Sequence, residues 1–339
     1  MKTGMKYNLN DKPTLKDMLL YGVQWFTITL PFLIILSGVV SGLHTEDVIL
    51  QTIYLQKLFM LTGLALIIQV WLGHRLPVLT GPATVLLIGL TGSSNLSVDA
   101  VYTAIVLGGA MTVLLSFGKF FEYIQKIFTT RVVGVVLILV AITIMPLAIS
   151  LSSGTNGSVF YNLMFALCLA LLMIFGNLVL KGIYKSQIIL LGLIVGTAIY
   201  LTLFGTPVHP SVSGLNAEII KEYLFISPEF DLSAIIAFFF CFLALIVNEF
   251  GAIQATATFI QADSIAGRSR RGLRVTGIFN MLSGSLGAIG MVDYSMSPGI
   301  IAATQSASRF PLIVAGILLI ICAFFHNPYS CSPIFPGWF

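Results

Sequence analysis

Nine long apolar runs restrict the fold of this chain more than any other feature. Each run is close to the roughly 20 residues that a helix needs to cross a bilayer. The chain is 57% hydrophobic and only 9% charged, whereas soluble domains carry roughly 25% charged residues. The composition therefore predicts an all-α polytopic membrane protein. The runs cover residues 18–42, 52–72, 98–117, 131–152, 159–180, 186–205, 232–253, 273–290 and 309–325.

Two shorter segments, 78–92 and 292–307, are interrupted by glycine and proline. Irregular backbone at membrane depth must be packed in protein or line a cavity, because lipid cannot satisfy its polar groups. In the first segment, a helix is predicted to begin near residues 81–82. In the second, Ser297 is expected to be the N-cap and Pro298 the first helical residue, after a short extended stretch.

Interrupted segments in corresponding places of two halves are typical of a transporter binding site near the membrane centre. A half-helix that begins there directs its free N–H groups and the positive end of its dipole at a ligand. The alternative is a pair of proline-kinked helices that bind nothing.

The basic residues indicate the orientation. If both interrupted segments cross, every lysine and arginine except Lys57 and Lys221 lies on the side of the N-terminus. Because positive charge accumulates in cytoplasmic loops, the N-terminus is predicted to be cytoplasmic. The run GRSRRGLR at 267–274 is interpreted as an anchor at that surface, with an anionic-lipid site as the alternative. Basic residues spread over loops do not indicate a nucleic-acid-binding surface.

An acid at membrane depth is the strongest functional signal. Asn248 and Glu249 directly follow the apolar run FFFCFLALIV. A buried acid in a membrane bundle is costly unless it is paired, protonated or hydrated. Glu249 is therefore expected to bind substrate or to exchange a proton, with a purely structural acid as the alternative. Asp293, in the second interrupted segment, is expected either to share this site or to cap the half-helix.

Nothing in the sequence indicates an enzyme or a bound cofactor. The four cysteines lie in or beside apolar runs without the spacing of metal ligands. There is no glycine-rich phosphate loop for a nucleotide. The four histidines fall in loops or in the C-terminal tail and are not expected to cluster: His44, His74, His209 and His326.

Five motifs occur together in the order and at the spacing of a known family. They are YGVQW (21–25), GHRLPVLTGPA (73–83), G-x-I-x-A-T (251–256), GIFNMLSGSLG (277–287) and, twelve residues later, Gly299. Each motif alone is weak, but the ordered set is specific. From about Tyr21 to Ser308, the chain resembles the nucleobase–ascorbate transporters of the uracil/xanthine permease kind.

The resemblance implies a fold of fourteen segments in two inverted repeats of seven, with the third and tenth segments each half strand and half helix. About eleven of the fourteen segments are present, so a truncated C-terminus is expected. The expected divisions are a cytoplasmic tail (1–17), a core domain (18–130 and 232–325), part of a gate domain (131–205), an extracytoplasmic loop (206–231) and an aberrant tail (326–339).

The resemblance also implies proton-coupled uptake of a nucleobase, uracil- or xanthine-like, across the cell membrane. The expected partners are the nucleobase, protons, the lipid bilayer and a second copy of the chain. The alternatives are an anion carrier of the sulfate-transporter type on the same fold, and an inactive truncated fragment.

The expected site residues come partly from the family's motif positions and partly from the polar residues of the interrupted segments and of the acid at membrane depth. Glu249 and Asp293 are expected to exchange protons, and the backbone N–H groups of 81–83 and 297–299 to bind carbonyl groups of the base. The expected substrate-binding residues are Gln24, Thr80, Gly81, Ala83, Thr84, Asn248, Glu249, Asp293, Tyr294, Ser295, Ser297, Pro298 and Gly299.

The sequence departs from the family pattern at the site itself. Alignment on Gly251 places Asn248, not Glu249, at the family's glutamate position, and both side chains remain candidates. The tenth-segment signature Gln/Glu-Asn-x-Gly is replaced by MSPG at 296–299. Asp293 or Ser295 is expected to replace the missing hydrogen-bonding side chain.

Overall fold

The fold is described by a computed structural model over residues 5–45, 47–93, 95–117, 158–180, 188–204 and 225–324, together with scattered positions between 135 and 149. Most of the predicted span 131–152, most of the loop at 206–231 and the tail at 326–339 lie outside the described residues.

Ten helices and two short strands make up the described part of the chain. They are α1 (Leu15–His44), α2 (Val48–Trp71), β1 (Thr80–Pro82), α3 (Leu86–Gly92), α4 (Val98–Leu115), α5 (Val159–Val179), α6 (Ile188–Phe204), α7 (Leu232–Phe259), α8 (Ile265–Ser285), β2 (Met291–Asp293), α9 (Ser297–Thr304) and α10 (Pro311–Ala323). Five of these helices are long and apolar enough to cross a membrane: α1, α2, α4, α5 and α7. The predicted helical membrane fold is confirmed.

Helix α8 differs most from its predicted span. The apolar pattern predicts a helix over 273–290, but α8 begins at Ile265 and ends at Ser285. Its first turns contain the arginine-rich run at 267–274, which hydropathy alone places in a loop. Arg268 is buried there, so the charged part of the helix is also packed against the protein.

Both interrupted segments consist of a short strand followed by a short helix, as predicted. Strands β1 and β2 pair in an antiparallel register that joins Thr80 to Asp293, and Pro82 to Met291. This pairing satisfies backbone groups that lipid could not satisfy.

The starts of the two half-helices differ in detail from the prediction. Residues 81–82 lie in β1, and α3 begins only at Leu86, because pairing with β2 keeps the earlier residues extended. Ser297 is the first residue of α9, and Met296 is the N-cap. The Ser297 hydroxyl instead accepts a hydrogen bond from the Leu79 N–H, at 2.9 Å.

The N-terminal tail is tied to the chain that follows α9. The Leu9 carbonyl accepts the Arg309 N–H at 3.4 Å, and the Arg309 guanidinium donates to the Val70 carbonyl at 3.2 Å. The tail, the end of α2 and the start of α10 therefore share one face of the bundle. We call this the tail face.

Two helix pairs approach each other through glycine. A Cβ atom built on Gly277 of α8 would lie 2.9 Å from the Gly109 carbonyl oxygen of α4. Likewise, a Cβ on Gly63 of α2 would lie 2.6 Å from the Gly316 carbonyl oxygen of α10. Small residues at such crossings let membrane helices pack backbone to backbone. These contacts link the first four helices to those that follow Leu232.

Gly277→Ala is expected to destabilise the protein by about 1–3 kcal/mol, because overpacking at this crossing forces α4 and α8 apart. Gly42→Ala is the matched control, since a Cβ at Gly42 of α1 would meet nothing within 4 Å. Thermal unfolding in detergent measures both. Equal melting temperatures for the two variants would contradict the close crossing.

Candidate functional site

The two half-strands cross at the centre of a polar site. Two further hydrogen bonds lie just outside the paired residues of β1 and β2. The Ala83 N–H donates to the Gly290 carbonyl at 2.7 Å, and the Tyr294 N–H donates to the Leu79 carbonyl at 2.7 Å. The pairing therefore extends past both strands and brings the starts of α3 and α9 together.

Tyr294 packs across the first half-strand. Its hydroxyl donates to the Pro82 carbonyl at 2.9 Å, and its ring lies 5.2 Å from that of Phe32 in α1. A Cβ on Gly81 would lie 2.7 Å from the Tyr294 hydroxyl oxygen. Glycine at this position is therefore required by the close approach of an aromatic ring.

Glu249 and Asp293 are joined directly. Oε2 of Glu249 accepts the backbone N–H of Asp293 at 2.9 Å. Its Oε1 accepts the Thr276 hydroxyl of α8 at 2.6 Å. Oδ1 of Asp293 accepts the Thr80 hydroxyl of β1, also at 2.6 Å. All four side chains are buried, so α7, α8 and both strands meet at two carboxyl groups.

His74 completes this group, although the sequence predicts no clustered histidine. Its Nε2 lies 3.2 Å from Oδ2 of Asp293, and both side chains are fully buried. Its Nδ1 accepts the Leu76 N–H at 2.9 Å. His74 lies in a loop, as expected, but the chain between α2 and β1 folds inward, and the sequence analysis did not predict the resulting contact with Asp293. The residues His74, Thr80, Glu249, Thr276 and Asp293 form what we call the carboxyl cluster.

The remaining histidines lie elsewhere. His44 is the last residue of α1, and its Nε2 lies 3.0 Å from the Tyr102 hydroxyl. His209 and His326 lie outside the described residues.

Gln69 of α2 joins the two ends of the carboxyl cluster. Its Nε2 donates to the Thr276 hydroxyl oxygen at 2.8 Å, and its Oε1 accepts the His74 N–H at 3.3 Å. Because Gln69 already donates to Thr276, the Thr276 hydroxyl proton is directed at Glu249. The result is a closed ring of buried polar contacts.

Two arginines of α8 hold the chain that carries His74. Arg268 donates to the carbonyls of His74 and Arg75, both at 3.1 Å, and Arg271 donates to the Gly73 carbonyl at 3.2 Å. Arg268 also lies 2.7 Å from Oδ1 of Asp263 and lowers the pKa of that exposed carboxyl. These arginines therefore have a structural role in addition to the predicted role as a surface anchor.

Among the described residues, no lysine or arginine lies within ion-pair distance of Glu249 or Asp293. Two buried carboxyl groups without a fixed cation are unfavourable when both are ionised. The cluster is therefore a candidate proton-binding site.

Asn280 fixes the position of β2. Its Oδ1 accepts the Met291 N–H at 2.7 Å, and its Nδ2 donates to the Met291 carbonyl at 3.1 Å and to the Thr276 carbonyl at 2.9 Å. Both backbone groups of Met291 are thus paired with one buried side chain, two residues before Asp293.

The predicted substrate-binding residues separate into three groups by exposure. The buried residues are Gln24, Thr80, Gly81, Ala83, Glu249, Asp293 and Ser297; the half-buried ones are Asn248, Tyr294 and Pro298; the exposed ones are Thr84, Ser295 and Gly299. The exposed residues all lie next to a half-helix start. Glu249, one residue after the family position, is the side chain that reaches Asp293.

Several backbone N–H groups expected to bind a ligand donate within the chain instead. The Ala83 N–H bonds to Gly290, the Gly299 N–H to the Met296 carbonyl at 3.0 Å, and the Ser297 N–H to the Tyr294 carbonyl at 3.4 Å. In this structure, the strand pairing and the first turn of α9 therefore use these donors.

The sequence interpretation missed Thr276 and Asn280, although a signal for them exists. Thr276, Asn280 and Ser283 are buried and spaced four and three residues apart on α8, which is the spacing of one helix face. A polar stripe on one face of an apolar helix predicts a buried polar site. His74 carries no comparable pattern, because its position depends on the path of a loop.

Comparison with known proteins places the chain in a family. The model of the permease family Xan_ur_permease matches residues 16–327. The chain belongs to the xanthine/uracil permease family. It is 27% identical over 297 residues to the nucleobase transporter PlUacP of Paenibacillus larvae subsp. larvae, covering 84% of this chain and 68% of that protein. It is 25% identical over 313 residues to the xanthine permease of Bacillus subtilis, and the match covers 89% of this chain and 70% of that permease.

Solved structures of other transporters share the fold of this xanthine/uracil permease family member. The transmembrane domain of the cyanobacterial bicarbonate transporter BicA aligns with a TM-score of 0.60 at 14% identity, covering 98% of this chain and 87% of that one. The murine anion transporter Slc26a9 aligns with a TM-score of 0.62 at 12% identity, covering 97% and 59%. The family and the fold together confirm a multi-pass membrane transporter, not an enzyme.

Proposed function

We propose that this permease is a proton-coupled transporter of a nucleobase, xanthine- or uracil-like, in the cell membrane. The observation that carries the proposal is the buried pair Glu249 and Asp293 at the crossing of β1 and β2. A xanthine permease and a nucleobase transporter among the relatives support the substrate class.

The base binds beside the carboxyl cluster, at the starts of α3 and α9. Exposed Thr84 and Ser295 supply hydrogen-bonding groups there, and half-buried Asn248 supplies an amide. The Phe32 and Tyr294 rings, tilted at 56° to each other, each offer an apolar face for a planar heterocycle. Backbone donors at 81–83 and 297–299 reach the base only if the starts of the half-helices rearrange when it binds.

Transport follows when a core domain (18–130 and 232–325) moves against the gate domain, as the family resemblance implies. The tail face, which carries Arg75, Arg268, Arg271 and Arg309, is the cytoplasmic one. Two copies pair through gate helices.

An anion carrier on the same fold is disfavoured by the charge of the site. An anion next to Glu249 and Asp293 is repelled unless both are protonated. The fold similarity to bicarbonate and other anion transporters does not decide between the substrates, because the identities are only 14% and 12%.

Binding by the purified protein tests the proposal, since it does not depend on a working gate. Calorimetry measures the binding of uracil, xanthine, hypoxanthine, urate and sulfate at two pH values. These are about pH 5 and about pH 8, below and above the ordinary histidine pKa of about 6.5. Saturable binding of one base, tighter at the lower pH, is the expected result. Binding of sulfate alone would support the anion carrier, and a folded protein that binds none of the five would contradict the proposal.

Gly299→Ala tests where the base lies. A Cβ at Gly299 would meet nothing within 4 Å, so the methyl group occupies open space at the start of α9. We expect unchanged folding and a loss of base affinity of about tenfold or more, equivalent to about 1.4 kcal/mol. Gly92→Ala, at the far end of α3 and equally without a contact within 4 Å, is the control. Equal affinities for the two variants would move the base away from α9.

A further inference from the structure

Three arginines on the tail face are each held by one hydrogen bond to a carbonyl at or just after the end of α2. The pairs are Arg75 Nε with the Trp71 carbonyl at 2.9 Å, Arg271 Nε with the Gly73 carbonyl at 3.2 Å, and Arg309 Nη1 with the Val70 carbonyl at 3.2 Å. Carbonyls at a helix end lack intrahelical partners and attract cations. Three guanidinium groups from separate segments are therefore fixed around one helix end. We call Arg75, Arg271 and Arg309 the arginine site.

Bonds to the helix end use only a small part of what the arginine site can bind. A guanidinium has five N–H groups, all of which are donors. Each of these three arginines makes one hydrogen bond within the part of the chain that the structure describes, and Nε of Arg309 is buried without a partner. Arg268 differs, because it makes four hydrogen bonds, two of them to Asp263. The arginine site therefore has N–H donors left for a ligand.

The charges around the arginine site favour an anionic ligand. The positive charges of Arg75 and Arg268 repel Arg271, and they also repel Arg309. Asp263 attracts Arg271 but is itself paired with Arg268, at 2.7 Å. Among the described residues, no carboxylate lies within ion-pair distance of the arginine site. An anion with several oxygens relieves this repulsion and accepts from more than one guanidinium.

The surroundings of the arginine site favour a lipid over a soluble anion. Trp71 and Leu72, at the same helix end, are 59% and 64% exposed. Tryptophan is typical of the membrane–water interface. Basic pockets between membrane helices bind lipid head groups, and the planar guanidinium matches a phosphate in geometry. A phosphate at the arginine site with acyl chains against Trp71 and Leu72 satisfies the charged and the apolar groups together.

We propose that the arginine site binds the phosphate of an anionic phospholipid from the leaflet at the tail face, with an acyl chain against Trp71 and Leu72. Arg75 is exposed, and Arg271 and Arg309 are half-buried, so a head group can reach all three. The proposal needs the membrane fold, but neither the proposed substrate nor the proposed proton coupling.

Native mass spectrometry of the purified chain tests the proposal with two lipids that have the same acyl chains. Phosphatidylglycerol is anionic, whereas the choline group of phosphatidylcholine cancels the charge of its phosphate. We expect the dissociation constant for one bound phosphatidylglycerol to be lower than that for phosphatidylcholine by about tenfold or more. Equal dissociation constants for the two lipids would overturn the proposal.

A double variant, Arg75→Gln with Arg309→Gln, tests where the lipid binds. We expect its preference for phosphatidylglycerol to fall to about twofold or less, because two of the three charges are lost. Lys16→Gln is the control and should keep the wild-type preference, since Lys16 is exposed at the start of α1 on the same side of the bundle. A full preference in the folded double variant, or an equal loss in Lys16→Gln, would contradict the assignment.

Arg75→Gln alone keeps the test decisive if the double variant does not fold. Arg75 is exposed, so thermal unfolding without added lipid should be close to that of the wild type. We expect the preference for phosphatidylglycerol to fall by about threefold or more. An unchanged preference would show that Arg75 does not contact the head group and would contradict the proposed site.

The head group without acyl chains separates a lipid from a soluble anion. Glycerophosphoglycerol carries the phosphate of phosphatidylglycerol but has no apolar part to lie against Trp71 and Leu72. We expect it to leave phosphatidylglycerol bound when both are present at equal concentration. Complete displacement would show that the phosphate alone is recognised, and the lipid would then not be the ligand.

Discussion

Glu249→Gln is expected to bind xanthine with nearly the same affinity at about pH 5 and about pH 8. In the wild type, a single proton coupled to binding changes the dissociation constant by up to about tenfold per pH unit, equivalent to about 1.4 kcal/mol. A glutamine at this position keeps an acceptor for the Asp293 N–H but cannot gain or lose a proton. The ratio of the two dissociation constants, from calorimetry, should fall to about twofold or less.

The matched control for this variant is Glu229→Gln. Glu229 is exposed and lies in the connection before α7, where it accepts the Ser97 hydroxyl at the start of α4. The same chemical change there should leave the pH dependence as in the wild type. If Glu249→Gln keeps the full wild-type ratio, Glu249 is not the coupling acid, and Asp293→Asn becomes the decisive variant.

Asn280→Leu is expected to lower the free energy of unfolding by about 2–5 kcal/mol. The change leaves the Met291 N–H and carbonyl without their side-chain partners, at 2.7 and 3.1 Å. Each buried polar group left without a partner costs about 1–3 kcal/mol. Because Met291 pairs with Pro82, the loss also loosens the crossing of the half-strands. Equilibrium unfolding in a denaturing detergent measures the effect.

Asn248→Leu makes the same substitution on a neighbouring helix, at a half-buried position in α7. Because Asn248 does not hold β2, this substitution should change the free energy of unfolding by no more than about 0.5 kcal/mol. Similar losses for the two variants would show that leucine is simply unfavourable in this bundle, and that Asn280 does not hold β2.

The membrane fold follows from sequence because its physical cause is local. A run of about 20 apolar residues must be a helix in lipid, since no other backbone structure satisfies its own polar groups there. For the same reason, residues 78–92 and 292–307 stand out as interrupted segments. The charged start of α8 was missed, because hydropathy does not register arginines that bond to the carbonyls of a neighbouring loop.

The candidate site follows from sequence only in part. Glu249 is conspicuous because an acid is rare at membrane depth, and Asp293 is conspicuous as an acid in the second interrupted segment. Whether Asn248 or Glu249 reaches the second acid depends on the rotation of α7 against β2, which one helix cannot determine. The helix start at residues 81–82 was wrongly predicted. Proline favours a helix start locally, but the pairing of β1 with β2 outweighs that preference.

Residue pattern alone therefore determines that this chain is a membrane bundle with two broken segments and a buried acid. The carboxyl cluster depends on contacts between residues far apart in the chain, such as Thr80 with Asp293, Gln69 with Thr276 and His74 with Asp293. Hydrogen bonds have a range of about 3 Å, so their partners are defined only once the helices have packed. For that reason a loop histidine without any sequence signal becomes a neighbour of the acid pair.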